Sequence, residues 1–286
     1  MSKLKTKCIM KPLAELTLLD RFLFACAMED SKILELVLSI VLEKEIELMK
    51  QPQSERELRT APWLRSIRLD VYAMDEGDSV YNAEVQKQNT GNLIKRSRFY
   101  QALIDSSLLA PGEIDFNHMQ SSCLITIMPF DLWGYGRYKY TYHMECREIK
   151  GLVLNDGVTR IFLNTHGTDK EGVNPELIEL LHYIENTCDA EADRIQSERV
   201  REIYRRVSQV KASEEIGVRY MQEWEERAYQ LQEAREEGRE EGIRAFVLDN
   251  LEDGKTEPQI LDKLERRFMM DRVTAKQVLE RYAKEG

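Results

Sequence analysis

The sequence predicts a mixed α+β protein with a central mixed sheet flanked by helices. Three patterns lead to this prediction. Apolar residues recur at helical spacing over residues 13–49. Two runs with alternating apolar and polar residues, 67–74 and 79–86, flank an acidic turn that contains a glycine, as in a β-hairpin. The apolar run at residues 123–128 is typical of a buried central strand.

The other elements are predicted from start and stop signals along the chain. Asp30 and Ser31 interrupt the first helical stretch and can cap a second helix. A further helix is expected over residues 93–109, because Pro111 and Gly112 follow it. Two later strands and a proline-initiated helix complete this part of the chain: residues 138–144, residues 153–163 and a helix that opens at Asn174-Pro175.

Composition divides the chain into three predicted regions. Residues 1–188 form the domain with the sheet, residues 189–250 a long charged helical region, and residues 251–286 a small helical tail. The long region repeats Arg-Glu-Glu-Gly, which places Gly238 and Gly242 on one helix face. Small residues at this spacing permit close helix approach, although each glycine costs about 1 kcal/mol relative to alanine. A dimer contact and a solvated, flexible helix are both open interpretations.

Charge and hydropathy narrow the class of protein. The chain has 41 basic and 51 acidic residues and a net charge of −10, which argues against nonspecific coating of nucleic acid but allows a local basic surface. It has no run of eighteen apolar residues, so no membrane span is expected. Charged residues soon after the N-terminus argue against a signal peptide, and the expected location is the cytoplasm. The five widely spaced cysteines are typical of reduced thiols.

The polar face of the hairpin contains two acids. If the strands pair around a three-residue loop, Asp70 lies opposite Glu84, and Arg68 lies opposite Gln86. The two carboxylates are then about 5 Å apart at their Cβ atoms. Like charges at this distance repel unless a divalent cation lies between them. Mg²⁺ suits such a site, because it prefers oxygen ligands and retains several waters.

Two other interpretations of the hairpin are open. A two-faced hairpin can simply direct its polar face to solvent. A register shift of one residue would place the two acids on opposite faces of the sheet. Only the pairing of the strands decides between these alternatives.

Several motifs follow one another with suitable spacing: residues 68–73 and 81–86 of the hairpin, 95–101, Phe130-Asp131, Gly136-Arg137, 161–165 and the Arg-Glu-Glu-Gly repeat. Over residues 13–243 the chain thereby resembles the PD-(D/E)XK family transposases, which are related to the recombination-promoting nucleases. The resemblance implies a restriction-endonuclease-like core. It also implies a Mg²⁺- or Mn²⁺-dependent endonuclease that hydrolyses DNA, associated with recombination or a mobile element.

The resemblance assigns roles to individual residues. Asp70 matches the metal-binding aspartate and Glu84 the second acid of the motif. Gln86 stands where the name of the superfamily has lysine, and a glutamine supplies no positive charge to the phosphate. Lys95, one helical segment later, could reach back to the site. The resulting catalytic set is Asp70, Glu84, Gln86 and Lys95.

Further site residues follow from the first and third helical segments. An acid on the first helix often completes the metal site in this superfamily, and Asp20 is chosen here over Glu29 and Asp30. Basic side chains supply most contacts to phosphate. The candidates for DNA contact are Arg68, Lys95, Arg96 and Arg98. A second basic cluster is interleaved with glutamates and is more typical of a salt-bridged helix surface: Arg199, Arg201, Arg205 and Arg206.

Two classes of function are carried forward. The first is the DNA endonuclease. The second is a catalytically inactive interaction or scaffold protein on a decayed nuclease fold, which Gln86, the acidic net charge and the long charged helix favour. It would assemble as a homo-oligomer through the C-terminal helices. A nuclease directed at RNA is a third alternative, because nothing in the sequence distinguishes the sugar.

Overall fold

The computed structural model describes residues 10–58 and 67–284, without the side chains of Ile67 and Arg68. These residues form a six-stranded mixed sheet with the order β1-β2-β3-β4-β6-β5. The strands are β1 Gln53–Leu58, β2 Ile67–Met74, β3 Val80–Val85, β4 Ser122–Met128, β5 Lys139–Tyr142 and β6 Val158–Asn164. The mixed α+β class predicted from the sequence is confirmed.

The described residues also form nine α-helices. They are α1 Arg21–Met28, α2 Ser31–Leu42, α3 Leu93–Asp105, α4 Pro175–Glu185, α5 Asp189–Ala192, α6 Glu198–Ala212, α7 Glu214–Glu252, α8 Glu257–Phe268 and α9 Arg272–Tyr282. Short 3₁₀ turns occupy Leu13–Glu15 and Phe116–His118. No helix within the described ranges combines the length and the apolar character needed to cross a bilayer.

The pairing of the strands explains which of them are buried. β1, β2 and β3 pair antiparallel, β3, β4 and β6 pair parallel, and β5 closes the other edge antiparallel to β6. β3 and β4 are central, and every residue in them is buried. This is why residues 123–128 are apolar apart from Thr126, since a strand covered on both faces is rich in apolar side chains.

Side-chain caps begin several helices at the expected positions. Asp30 accepts a hydrogen bond from the Lys32 backbone N–H at 2.9 Å and caps α2. Asn174 accepts a hydrogen bond from the Glu176 backbone N–H at 3.0 Å and caps α4. Pro175 occupies the first helical position of α4. The break predicted at Asp30 is therefore a helix boundary, and the chain turns there to start α2.

The first edge strand, β1, was not predicted from the sequence. Half of its six residues are charged, and its exposure alternates along the strand. Such a segment has low β-propensity by itself. It is a strand because its backbone pairs antiparallel with β2, as in the pair Arg56↔Leu69. Arg56 also lies over the Tyr72 ring, 3.9 Å from its centre.

Two apolar clusters lie on opposite faces of the sheet. The larger one joins α1, α2, α4 and α6 to the face that carries Val71 and Ala83. The smaller one lies under α3, where Leu103 and Ile104 pack on Tyr72 and Leu124. α3 therefore covers the face of the sheet to which Glu84 belongs.

The described residues divide into two compact units, 10–220 and 221–284. In the second unit the end of α7 packs with α8 and α9 through a cluster that includes Val247, Ile260, Leu264 and Leu279. Thr256 and Gln259 form a capping box at the start of α8. The domain boundaries at residues 188 and 250 stay predictions.

Candidate active site

The hairpin has the register that would place Asp70 beside Glu84. Val71 pairs with Ala83, so Asp70 and Glu84 are the next positions along the two strands. The Asp75 N–H donates to the Ser79 carbonyl at 3.0 Å around a loop of three residues. Neither a register shift nor a loop of another length occurs.

The loop uses an aspartate where a glycine is usual. Its last residue, Asp78, has a φ of 58° and is left-handed, whereas Gly77 is not. The turn is held by the Asp75 carboxylate, which accepts hydrogen bonds from the Ser79 N–H at 2.8 Å and the Tyr81 hydroxyl at 2.6 Å. Aspartate tolerates the left-handed conformation better than most residues, so the loop keeps its register.

The backbone ladder between β2 and β3 ends just before the acids. The last paired residues at this end are Val71 and Ala83. After Ala83, the next backbone N–H of β3 on the side of β2 belongs to Val85. It donates to Asp70 Oδ2 at 3.4 Å. A carboxylate thus takes a position that a strand carbonyl would occupy. The two strands part at this point, and Asp70 and Glu84 lie at the opening.

Both carboxylates are buried and face arginines. Asp70 and Glu84 are each 5 % exposed. Arg21, the first residue of α1, places Nε 2.6 Å from Asp70 Oδ1. Arg96 of α3 places Nη2 3.4 Å from Glu84 Oε1. Thr126 Oγ1, on the neighbouring strand β4, donates to the same Glu84 oxygen at 3.4 Å.

Burial governs the protonation of this pair. Desolvation raises the pKa of Asp70, against the nearby charge of Arg21 and the Val85 N–H, which lower it. Burial also raises the pKa of Glu84 to about 7, and the charge of Asp70 adds to that effect while Arg96 opposes it. The charge of Asp70 acts on Glu84, and Arg96 lowers the pKa of both acids, so the two carboxyl groups share one environment. A cation bound there would drive protons off both.

Gln86 and Arg96 form a second layer of the site. Arg96 Nη2 donates to Gln86 Oε1 at 2.6 Å. The amide nitrogen of Gln86 donates to the Gln88 carbonyl at 2.7 Å, which orients the amide oxygen towards the arginine. Arg96 therefore bridges Gln86 and Glu84. A positive charge is present beside the position where the family motif has lysine, but it comes from a helix.

The remaining predicted residues are placed differently. Lys95 and Arg98 lie on the exposed side of α3. The cation that reaches back to Glu84 is Arg96, the residue after Lys95. Asp20 caps α1 through the Phe22 N–H and lies 3.7 Å from Lys87 Nζ. The side chain of Arg68 lies outside the described residues.

The structure does not assemble three acids around one point. Within residues 10–58 and 67–284 no three His, Cys, Asp or Glu side chains are arranged to hold a metal ion. The arrangement of Asp20, Asp70 and Glu84 as a three-carboxylate site is therefore absent. The reason is local, because Asp20 is used as a helix cap and the residue after it, Arg21, reaches Asp70 instead.

The donor set nevertheless fits a hard divalent ion. Asp70 and Glu84 offer carboxylate oxygens, and Gln86 offers an amide oxygen. Mg²⁺ is commonly bound through one or two carboxylates and keeps several waters, so a third acid is not required. A cation at this position would compete with Arg21 for Asp70, since both neutralise the same carboxylate.

Sequence reasoning missed three residues of the site. Arg21 and Thr126 contact the two carboxylates, and Asn82 lies two residues before Glu84 on β3. Asn82 is buried, and its side-chain amide has no hydrogen-bond partner among the described residues. Arg21 follows a helix cap, and Thr126 is the one hydroxyl in the apolar run 123–128. Those positions were the only signals.

Comparison with known proteins gives one match. The sequence model of the family described as PD-(D/E)XK nuclease family transposase matches residues 21–240. The match covers more than half of the 286-residue chain and includes Arg21, Asp70, Glu84 and Arg96. Searches of curated proteins and of solved structures found no match.

Proposed function

The chain belongs to the PD-(D/E)XK nuclease family transposases, and on this basis we propose that it is a metal-dependent endonuclease. Its substrate is DNA, whose phosphodiester bonds it hydrolyses in recombination or in the movement of a mobile element. The observation that carries the proposal is the pair Asp70 and Glu84, buried together where two strands part and faced by Arg96.

The proposed metal ligands are Asp70 and Glu84, with Mg²⁺ or Mn²⁺ as the ion. When bound, such an ion neutralises charge on the phosphate and activates water. Both carboxylates are held on strands of the sheet, so their positions are rigid. Their burial raises their pKa values, so a bound cation would favour the ionised form of both carboxylates.

Arg96 is proposed to supply the positive charge that Gln86 lacks. Its guanidinium is held by Gln86 Oε1 at 2.6 Å and lies beside Glu84. An arginine stays protonated at any physiological pH, so it stabilises negative charge and does not act as a base. Gln86 then acts as a positioning residue, because it orients the guanidinium. This assignment replaces Lys95 in the catalytic role.

Contacts to the DNA backbone are proposed for Lys95, Arg98 and Arg68. Lys95 and Arg98 lie on the exposed side of the same helix that carries Arg96. A phosphate backbone that follows this side of α3 would meet two cations near the carboxylates. The net charge of −10 does not oppose this, since phosphate contacts depend on the local field.

One observation favours the second candidate, a catalytically inactive interaction protein. Arg21 lies 2.6 Å from Asp70, and Arg96 lies beside Glu84, so each carboxylate already has a cationic partner. A decayed site would keep such pairs for stability and would bind no metal. This candidate includes the predicted homo-oligomer through the C-terminal helices.

Asp70→Asn and Glu84→Gln test the proposal directly. We expect Mg²⁺-dependent nicking of supercoiled DNA to fall at least about 100-fold in each variant, because one oxygen ligand loses its charge. Glu35→Gln is the matched control, since the Glu35 carboxylate is partly buried on α2 and bonds to the Leu48 N–H. Its nicking rate should equal that of the wild type.

Calorimetric titration with Mn²⁺ separates the two candidates. An endonuclease site gives a heat of binding in the wild type that is lost in Asp70→Asn. Equal, negligible heats in both proteins together with no nicking would establish the inactive interaction protein. Wild-type nicking that both site variants retain would show that the site is assigned to the wrong residues.

A further inference from the structure

An aromatic pocket lies beside α3, apart from the two carboxylates. It has a volume of about 240 Å³. Most ligand pockets enclose about 300–1,000 Å³, so this one is suited to a small group. Its lining is Ile94, Ser97, Trp133, Tyr142, His143, Met144, Val158, Arg160 and Phe162.

Three aromatic rings form the apolar wall of the pocket. The Trp133 ring centre lies 5.1 Å from that of Tyr142 and 5.3 Å from that of Phe162. Tyr142 and Phe162 meet edge to face at 5.9 Å. Phe162 is buried, whereas Tyr142 is 41 % exposed and stands at the rim. A ligand that enters here meets more than one aromatic ring.

The polar groups of the pocket include hydrogen-bond donors. Arg160 contributes a guanidinium that makes no salt bridge to any residue in the described ranges, and His143 contributes a ring whose Nδ1 lies 3.5 Å from Thr159 Oγ1. No acid lines the pocket. The pocket is therefore complementary to a flat group with acceptor atoms on its edge, which describes a nucleobase.

The pocket and the carboxylates lie on the same side of the sheet. Glu84 pairs with Thr126, and Thr126 pairs with Phe162 in the next strand. Strands are about 4.8 Å apart, so the backbone of Phe162 lies about 10 Å from that of Glu84. That distance corresponds to a few nucleotides of one strand.

One turn of α3 contacts both the carboxylates and the aromatic pocket. Arg96 extends to Glu84, whereas Ile94 and Ser97 line the pocket. The exposed side of the same turn carries Lys95 and Arg98. A sugar-phosphate backbone that leaves the carboxylates across this turn meets cations first and the aromatic rings next. Cationic grooves with stacking platforms are how proteins hold single-stranded nucleic acid.

We propose that the pocket formed by Trp133, Tyr142, Phe162 and Arg160 binds an unpaired base of the DNA strand that is cut at Asp70 and Glu84. The proposal rests on the proposed endonuclease function. It assigns the substrate class of that site as DNA with unpaired bases next to the scissile phosphate. A paired base offers no free face to the rings, so a base of a duplex has to unpair before it enters the pocket.

Binding of single-stranded DNA in EDTA tests the pocket without cleavage. The probes are a fluorescein-labelled oligonucleotide and an abasic strand of the same length, which carries the same phosphates. Base stacking contributes about 1–3 kcal/mol, so the wild type should prefer the intact strand about 5- to 100-fold. Tyr142→Ala, on an exposed edge strand, should lose most of this preference. Arg160→Gln should reduce it as well.

Tyr135→Ala is the matched control, because Tyr135 is 76 % exposed and does not line the pocket. It should keep the wild-type preference for the intact strand. An equal preference for the intact strand in wild type and Tyr142→Ala would overturn the proposal. Binding of an apolar protein side chain in the pocket, in place of a base, would also overturn it. Wild-type preference for bases without Mg²⁺-dependent nicking would support the pocket and refute the endonuclease.

Discussion

Helices α3 and α6 are both rich in basic residues, but the fold uses their charges in different ways. On α6 each arginine of the second basic cluster bonds to an acid: Arg199 to Glu176, Arg201 to Glu198, Arg205 to Glu202, and Arg206 to Glu202 and Asp30. On α3, Arg96 extends into the site, whereas Lys95 and Arg98 are exposed and make no salt bridge to any residue that the structure describes.

The difference follows from where the acids lie in the sequence. α6 contains Glu198 and Glu202, three or four residues from its arginines, and side chains at this spacing meet on one helix face. α3 has a single acid, Asp105, at its last position. Its cations are therefore left for partners outside the helix. A count of basic residues does not distinguish the two helices, whereas the positions of the nearby acids do.

The largest expected effect comes from removing one arginine from each helix. Arg96→Gln should lower the nicking rate about 100-fold, because the site loses its charge beside Glu84. Arg206→Gln is the matched change on α6. It should leave nicking unchanged and reduce the free energy of unfolding by less than about 1 kcal/mol. Steady-state nicking rates and urea unfolding of both variants measure these two effects. Equal nicking rates in the two variants would contradict the proposed difference between α3 and α6.

The next effect concerns DNA affinity. Replacing Lys95 and Arg98 together by glutamine should weaken binding of duplex DNA about 10-fold and reduce the slope of log affinity against log salt by about 2. The matched pair on α6 is Arg201 and Arg205, which already neutralise Glu198 and Glu202. Fluorescence anisotropy at several salt concentrations gives both slopes. If the α6 pair changes the slope as much as the α3 pair, the exposed side of α3 is not the contact surface.

The smallest expected effect is the pH dependence of the stability that the ion pair between Glu176 and Arg199 of α6 contributes. Burial raises the pKa of Glu176, but hydrogen bonds from Arg199 and Ser197 outweigh it, and the pKa lies below its ordinary value of 4.5. Its contribution to stability is therefore present above pH 4.5 and is lost as the pH falls through the lowered pKa. Glu176→Gln should cost about 1 kcal/mol at pH 7, after allowance for solvent screening, and less than that at pH 2.5.

Urea unfolding at both pH values measures this change. A cost that is the same at pH 7 and pH 2.5 would show that Glu176 contributes by packing and not by its charge. The control is Glu179→Gln, which removes a charge that bonds to the backbone N–H groups of Gln196 and Ser197 rather than to an arginine.

Much of the fold was predictable because local patterns and tertiary structure agree. The alternation of residues 67–74 and 79–86 specifies the hairpin, and the apolar run 123–128 specifies a central strand. β1 was not predictable, because its charged residues have no strand signal and only pairing with β2 makes them a strand. Its φ of 52° at Glu55 is equally invisible in the sequence.

The candidate site was also predictable only in part. The sequence by itself determined that Asp70 and Glu84 lie on the polar faces of two alternating strands, and the pairing of Val71 with Ala83 in the structure decided the register. Only the tertiary structure decided which side chains contact the two carboxylates. Arg21 and Arg96 reach the acids, and Asp20 and Lys95 do not. Lys95 and Arg96 are neighbours on α3 and point about 100° apart, so the docking angle of α3 selects one of the two, whereas Asp20 is held as the cap of α1.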